Sequence, residues 1–302
     1  MDIKGYERGD QPILRSLMFV PGIREKFIEK APSIPADLIC LDLEDSVPAA
    51  EKGAARKLVG NSIPNMERLG YKLYVRVNGY NTGLMEDDLD AVISKNIDGL
   101  SIPKADSADT MKKIDAYLSF LEKTRGIPEG QIKLIPWIEL AIGLSNVEEI
   151  IRSTPRIIGA SFGGEDFATD MGVQRTRDSK ELEYGRFAVA TACIAYNVLP
   201  IDTPEPDYTD LDHLEKDAGF ARSIGYKGKY CIHPAQVEVV NRLFMPTPEE
   251  IEHAKKVVDA YNDAEKQGLG AVALDGVMVD RPIVVRAWRL LEWLKGIEGR
   301  ED

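Results

Sequence analysis

Eight short apolar runs constrain the fold of this chain more than any other feature. They cover residues 14–20, 37–43, 72–77, 99–102, 133–138, 156–162, 198–201 and 228–232. Segments with apolar residues at helical spacing lie between them, among them 84–94, 108–124, 181–196, 211–224 and 235–243. A strand followed by a helix, repeated eight times, predicts an α/β fold of the (β/α)8 barrel type. A doubly wound open sheet is the alternative, but no G-x-G-x-x-G follows the first run.

The pattern changes after Phe244. Thr247 and, three residues later, Glu250 form a capping-box signature that begins a long helix over residues 248–267. A glycine-rich turn at 268–270, a short run at 271–279 and a last helix from about 282 to 294 follow. A closed barrel has no place for a further strand. We therefore expect a barrel domain over residues 1–245, and a helical segment over 246–302 that serves as a lid or packs on a neighbouring subunit.

The charge balance and the cysteines limit the kinds of binding partner and the cellular compartment that we expect. Lys and Arg number 38 and Asp and Glu number 50, a net charge of −12, which argues against a nucleic-acid partner. The three cysteines lie inside apolar runs without a C-x-x-C pair, which is typical of buried thiols in a reducing compartment. We expect no membrane partner, because no apolar stretch reaches about 18 residues. The first residues carry no apolar targeting segment, so we expect a cytoplasmic protein.

Ionisable side chains follow nearly every predicted strand. The active sites of (β/α)8 barrels lie at the C-terminal ends of the strands, so these groups are expected to converge at one edge of the barrel. In chain order they are Arg24, Lys26 and Lys30; Asp42, Glu44 and Asp45; Arg76; Lys104; Glu139; Glu165 and Asp166; Asp202; and His233. Solvated loops would not place charges so regularly after each strand.

The motif Gly163-Gly164-Glu165-Asp166 follows the sixth run directly. Two glycines allow a tight turn or a close approach, and carboxylates at such a place are typical ligands of a hard cation or acid–base groups. A polar loop in which Asp166 caps the next helix is the alternative.

Glu139 follows the fifth run, next to the sixth. Two convergent carboxylates with room for water suit Mg²⁺, so Glu139 and Asp166 are candidate metal ligands. A buried ion pair of Glu139 with Arg76 or Lys104 is the alternative. Zinc is disfavoured, because the three histidines show no ligand spacing.

Three further groups carry charge outside this pair of carboxylates, and the first two of them each allow two interpretations. Arg76 ends a core strand, where it must be paired or must hold a ligand carboxylate or enolate. Lys26 and Lys30 form either a solvated helical face or a phosphate contact at the barrel rim. The pattern around Asp280 predicts an N-cap for the helix that begins near Pro282.

Seven ordered motifs resemble those of citrate lyase β-subunit-like proteins, in the acyl-CoA lyase branch of the HpcH/HpaI aldolase superfamily that includes the malyl-CoA and citramalyl-CoA lyases. The resemblance extends over roughly residues 13–290. The motifs are RSLMFVPG (15–22), LDLEDSV (41–47), VRVN (75–78), IPK (102–104), GGEDF (163–167), IHP (232–234) and GVMVDRP (276–282).

The resemblance implies a Mg²⁺-dependent barrel, with Mn²⁺ as an alternative metal, that assembles into a homotrimer or a dimer of trimers. It implies that Glu139 and Asp166 bind the metal and that Arg76 contacts the substrate. Asp280 would be the catalytic acid–base, contributed by the tail of a neighbouring subunit rather than serving as a cap. The CoA and substrate site would be lined by Phe19, Lys26, Lys30, Ile232 and His233, with Glu44, Asp45, Lys104 and Glu165 supporting the ligands.

The implied reaction is a reversible Claisen-type cleavage of a 3-hydroxyacyl-CoA, with (S)-citramalyl-CoA giving pyruvate and acetyl-CoA as the favoured substrate. Malyl-CoA, β-methylmalyl-CoA and a carrier-bound citryl thioester are the alternatives. A CoA-independent 2-oxo acid aldolase and a non-catalytic subunit are the rivals from other classes. Phe19 stands where citramalyl-CoA lyases carry Tyr, and Val277 where many relatives are polar.

Overall fold

The eight apolar runs form a closed parallel barrel in a computed structural model, which describes residues 11–298. Strands pair in chain order, and the first closes the barrel on the eighth. The (β/α)8 prediction is confirmed. Residues 1–10, for which we expected no targeting segment, and residues 299–302 lie outside the described residues. The strands are β1 Ser16–Pro21, β2 Leu38–Asp42, β3 Lys72–Arg76, β4 Gly99–Ile102, β5 Lys133–Ile138, β6 Gly159–Phe162, β7 Leu199–Asp202 and β8 Gly228–Cys231.

Helices follow every strand of the barrel. The five helical segments predicted from spacing agree with α3, α4, α8, α9 and α10 to within about two residues at each end. Helix α2 was not predicted because it buries only Ala55 and Val59. The helices are α1 Glu25–Lys30, α2 Lys52–Ser62, α3 Met85–Val92, α4 Ala108–Arg125, α5 Ala141–Ser145, α6 Val147–Ile151, α7 Gly164–Asp170, α8 Glu183–Ala195, α9 Leu211–Ser223 and α10 Pro234–Leu243.

The barrel strands are buried on both faces, which is why they read as continuous apolar runs rather than as alternating ones. Every residue of β2 from Leu38 to Leu41 is fully buried. Cys40, Cys193 and Cys231 are free and buried, as the sequence predicted.

One charged residue at a strand end, Asp202, does not join the group at the C-terminal edge of the barrel. Asp202, the last residue of β7, is fully buried and accepts hydrogen bonds from Lys229 Nζ at 2.6 Å and from Arg186 Nη2 at 2.7 Å. Asp217 on α9 completes the cluster through the same two cations. Two cations and two anions compensate each other there, so we interpret Asp202 as structural, contrary to the expectation that its charge joins the others.

Residues 14–244 form one compact unit, and the described residues 11–13 and 245–298 belong to a second. In the second unit, α11 (Pro248–Lys266) begins at the predicted box, where Thr247 and Glu250 each accept from the other's backbone N–H. The run at 271–279 forms a hairpin that the sequence analysis missed, β9 (Val272–Leu274) with β10 (Val277–Val279). Its two-residue turn is Asp275-Gly276, both with positive φ, a pairing that two-residue hairpins favour.

The last element in the described part of the chain is α12 (Arg281–Glu298). Val257 and Tyr261 of α11 pack with Val279 and Val284 in a small apolar cluster of this unit. No helix in the described part of the chain is both long and apolar enough to cross a membrane.

Candidate active site

Two carboxylates lie at the ends of neighbouring strands. Glu139 follows β5 directly, and Asp166 lies in the first turn of α7, which begins two residues after β6. The two strands pair, with Ile138 opposite Phe162. Glu139 is only 2% exposed, whereas the side chain of Asp166 is 34% exposed. One carboxylate is therefore fixed within the barrel mouth and the other is accessible to a ligand.

The glycine before α7 makes room for Glu139. A Cβ at Gly163 would lie 2.5 Å from the Cβ of Glu139 and 3.2 Å from its carboxyl carbon, and closer still to Oε2. Its φ of −107° is open to any residue, so space rather than backbone freedom requires glycine here. The cap of α7 is Gly163 and not Asp166, which removes the capping interpretation of Asp166.

The surroundings of Glu139 are poor in positive charge. Its Oε1 accepts a hydrogen bond from the backbone N–H of Lys104 at 2.7 Å. Burial, with Asp166 and Glu44 nearby, raises the pKa of Glu139 to about 8, against the partial compensation from Lys104. The alternative was an ion pair of Glu139 with Arg76 or Lys104. The structure instead shows only the hydrogen bond from the backbone of Lys104. A buried carboxylate next to a second one fits a site that gains a cation.

Lys104 brings a positive charge close to these carboxylates. Its Nζ lies 2.6 Å from Glu44 Oε1 and 3.5 Å from Asp166 Oδ1, and these neighbours raise its pKa although burial opposes it. Its φ is +52°, a left-handed conformation that non-glycine residues seldom adopt. Backbone and side chain of this one residue therefore both contact the acidic cluster.

Arg76 is paired through its guanidinium with Asp42, a strand-end charge to which the sequence analysis assigned no role. Nε donates to Asp42 Oδ1 at 2.7 Å and Nη2 to Oδ2 at 2.8 Å. The pKa of Asp42 is lowered, because Arg76 outweighs the effect of burial. The strand register could have predicted this pair, because Asp42 and Arg76 end adjacent strands and lie opposite each other. Nη1 lies 3.2 Å from Glu44 Oε2 and 3.6 Å from Asp45 Oδ2, so this nitrogen faces the two acidic side chains that follow β2.

Aromatic rings fill the barrel beneath Arg76. The guanidinium lies 4.3 Å from the ring centre of Phe19, and Phe19 stacks on Tyr230 at 4.6 Å. Trp137 packs against both rings and donates from Nε1 to Ser101 Oγ at 2.7 Å. Trp137 and Tyr230 were missed because they lie inside strands, away from the strand ends. The apolar floor removes water beneath the guanidinium and strengthens its charge interactions.

The remaining predicted residues of the barrel lie at its rim. Lys26 and Lys30 are exposed on α1. Because β8 pairs with β1, they follow a strand adjacent to the one that precedes Ile232 and His233. Ile232 is 39% exposed, and His233 caps α10, accepting from Ala235 N through Nδ1.

Glu165 and Asp280 make contacts that differ from those of the central carboxylates. Glu165 is 61% exposed and pairs with Arg175 Nη1 at 2.9 Å, so its charge is turned to that arginine. Asp280 belongs to the second unit and accepts from Ile283 N at 3.4 Å, the geometry of the N-cap that its sequence pattern predicts. Its catalytic role stays a prediction.

A metal ion at this place would depend on few protein ligands. Among residues 11–298, no three His, Cys, Asp or Glu side chains come together as a ligand set. Glu139 and Asp166 supply two carboxylates, and water or ligand oxygens would fill the other positions. Mg²⁺ is commonly bound in this way, through one or two carboxylates with several retained waters. The residues present therefore fit this ion.

The fold and the site define a (β/α)8 barrel with paired carboxylates, an arginine and a lysine at the C-terminal ends of its strands. Comparison with known proteins agrees. The model of the HpcH/HpaI aldolase/citrate lyase family matches residues 15–234. The chain belongs to this family, and it is a carbon–carbon lyase.

Named relatives span nearly the whole chain. Citrate lyase subunit beta of Leuconostoc mesenteroides is 34% identical over 94% of both chains. Mitochondrial citramalyl-CoA lyase of Mus musculus is 31% identical over 95% of this chain and 87% of its own. Among solved structures, CitE of Mycobacterium tuberculosis, in complex with magnesium, acetoacetate and coenzyme A, has a TM-score of 0.77 and 26% identity, over 96% of this chain and all of that one.

Proposed function

We propose that this protein is a Mg²⁺-dependent lyase that cleaves a 3-hydroxyacyl-CoA, with (S)-citramalyl-CoA as the first candidate substrate. The observation that carries the proposal is the buried Glu139 beside Asp166, two carboxylates short of positive charge at the strand ends of a barrel from this family. The CitE structure, which holds magnesium, acetoacetate and coenzyme A, supports the metal and the ligand class. The citramalyl-CoA lyase relatives support the substrate.

Glu139 and Asp166 would hold the ion, which when bound polarises the hydroxyl and carboxylate oxygens of the substrate as a Lewis acid. The hydroxyl proton then passes to a solvent water, and the carbonyl of a 2-oxo acid forms as the carbon–carbon bond breaks. The electron pair of that bond passes to the thioester as an enolate. Arg76, whose Nε and Nη2 are held by Asp42, would stabilise the enolate oxygen through Nη1.

Asp280 would protonate the enolate carbon to give acetyl-CoA, and would remove the same proton in the reverse direction. We propose that it comes from the tail of a neighbouring copy, so that residues 246–302 act as lid and oligomerisation segment of a homotrimer or dimer of trimers. Lys26 and Lys30, exposed on α1, would contact the phosphates of CoA. Ile232, His233 and Phe19 would line the thioester path, and Mn²⁺ would substitute for Mg²⁺.

The second candidate function is that of a citrate lyase β subunit acting on a citryl thioester. The observation that favours it is the 34% identity to such a subunit over 94% of both chains. Purified protein that cleaves citryl-CoA faster than citramalyl-CoA would favour this candidate. Malyl-CoA, which gives a smaller 2-oxo acid, tests the size of the oxo-acid pocket in the same assay, and β-methylmalyl-CoA tests the room for a methyl group on the carbon next to the thioester.

Mixing two inactive variants tests the shared site. Arg76→Lys and Asp280→Asn should each be folded and nearly inactive, and unfolding and reassembly together should restore part of the activity, because some sites then carry an intact residue from each chain. Wild-type turnover of Asp280→Asn would remove the acid–base assignment. Activity that never returns on mixing would place both residues in one chain.

The alanine variants of Lys26 and Lys30 address the CoA-independent aldolase. They should raise KM for the CoA ester by about tenfold at low salt, since each phosphate contact is charge-assisted. An unchanged KM would favour a free hydroxy-oxo acid as substrate.

A further inference from the structure

Lys104 is a permanent cation within the acidic cluster of the site. Its Nζ pairs with Glu44 at 2.6 Å and lies 3.5 Å from Asp166, and its backbone N–H binds Glu139. Three carboxylates are therefore held by one residue, through two different groups.

The backbone of Lys104 is shaped to make both contacts. Its φ of +52° lies in the left-handed region, which a side chain other than glycine enters at an energetic cost. This conformation directs the N–H to Glu139 while the side chain extends to Glu44 and Asp166. Only Ser179, Asn197 and Asp275 share a positive φ among the non-glycine residues described.

Arg76 cannot provide the same compensation. Two of its nitrogens are committed to Asp42, and only Nη1 turns to Glu44 and Asp45. Lys104 supplies the side-chain cation that lies beside Asp166, and its charge also acts on Glu139. A divalent ion held by the same carboxylates would meet a like charge there.

We propose that Lys104 is a positioning residue that acts as an internal counter-cation. It keeps Glu44, Glu139 and Asp166 in place without a metal and lowers the affinity of the free enzyme for Mg²⁺. Tight binding of the ion then requires the oxygens of the substrate. This inference rests on the proposed metal site at Glu139 and Asp166.

The test compares Lys104→Met with the wild-type full-length protein. Without metal, the variant should unfold at a lower temperature, because the carboxylates lose their counter-cation. In calorimetric titration with MgCl₂ alone, its Kd should be lower by about tenfold or more, since one like charge is removed. Lys104→Arg should keep the wild-type Kd within a few-fold. Lys112→Met, which removes the same charge from an exposed position of α4, should change neither quantity.

An unchanged or weaker affinity in Lys104→Met would overturn the inference, because a merely structural lysine can only support the ion. Lys104→Gln, which is neutral but still polar, should behave like the Met variant and replaces it if that variant does not fold. Failure of both to fold even in saturating MgCl₂ would also overturn it, since the ion should substitute for the lost charge. Glu139→Gln separates the two proposals: if it binds Mg²⁺ as wild type does, the metal site itself is wrong.

Discussion

Replacing Gly163 by Ala tests whether the position of the Glu139 side chain depends on the absence of a Cβ at residue 163. The new Cβ would lie 2.5 Å from the Cβ of Glu139, and ordinary contact begins at 3.4 Å, so one of the two must move by about 1 Å. Glu139 is buried and its Oε1 is held by Lys104 N–H, which leaves its carboxylate little freedom to adjust without losing that hydrogen bond.

Two effects are expected from Gly163→Ala. Overpacking of this kind lowers the free energy of unfolding by about 1–3 kcal/mol. A displacement of about 1 Å in a catalytic group costs on the order of a hundredfold in activity. Urea unfolding measures the first effect, and Mg²⁺ titration with turnover of the CoA ester measures the second.

Gly219 provides the matched control. It lies within α9, and a Cβ there meets no atom within 4 Å. Gly219→Ala should leave activity unchanged and raise the free energy of unfolding by about 0.5–1 kcal/mol, the usual gain of alanine in a helix. Wild-type stability and Mg²⁺ affinity in Gly163→Ala would refute the steric reasoning. Lost stability with intact Mg²⁺ binding would show that Gly163 serves only the fold.

Asp42→Asn should lower the free energy of unfolding by about 3–5 kcal/mol, because it leaves the buried Arg76 without its charged partner. The same substitution should lower kcat. An unchanged urea midpoint together with an unchanged kcat would contradict this prediction. Glu122→Gln should cost about 3 kcal/mol at pH 7 by removing the charge that pairs with Arg156. The pKa of Glu122 is lowered, since Arg156 and two backbone N–H groups outweigh burial. The difference in unfolding free energy between wild type and Glu122→Gln should therefore be full above about pH 4.5 and shrink as the pH falls through the folded pKa; a pH-independent difference would contradict that linkage.

The sequence predicted the barrel because fully buried parallel strands leave continuous apolar runs, and helices of sufficient length leave a 3.6-residue period. The short helices α5 and α6, with five residues each, span little more than one turn and leave no such signal. The hairpin in the second unit was missed although Asp275-Gly276 is a strong turn signal, because its strands have only three residues each.

The sequence predicted where the charged residues of the site lie, but not which residues pair with one another. Strand ends brought Arg76, Glu44, Lys104, Glu139 and Asp166 together in the structure as expected. Position alone could not show which strand-end carboxylates stay accessible to a ligand. Asp202 and Asp166 look alike in sequence, but Lys229 and Arg186 neutralise the first.

Strand register and side-chain direction decide which charged residues at the strand ends pair with one another. Asp42 faces Arg76 across paired strands, which turns a candidate acid into the support of an arginine. The aromatic floor of Phe19, Trp137 and Tyr230 comes from three strands far apart in sequence, so closure of the barrel is what brings it together.

The most direct test of the proposed function is a cleavage assay on purified full-length protein with citramalyl-, malyl-, β-methylmalyl- and citryl-CoA. Each substrate is incubated with Mg²⁺ and, in parallel, with EDTA, and the 2-oxo acid and the acyl-CoA product are quantified, which is propionyl-CoA for β-methylmalyl-CoA and acetyl-CoA for the other three. We predict that citramalyl-CoA yields equal amounts of pyruvate and acetyl-CoA, that EDTA abolishes the reaction, and that Glu139→Gln and Asp166→Asn abolish it as well. Cleavage that is indifferent to EDTA and to both substitutions, or no cleavage of any of the four esters, would contradict the account.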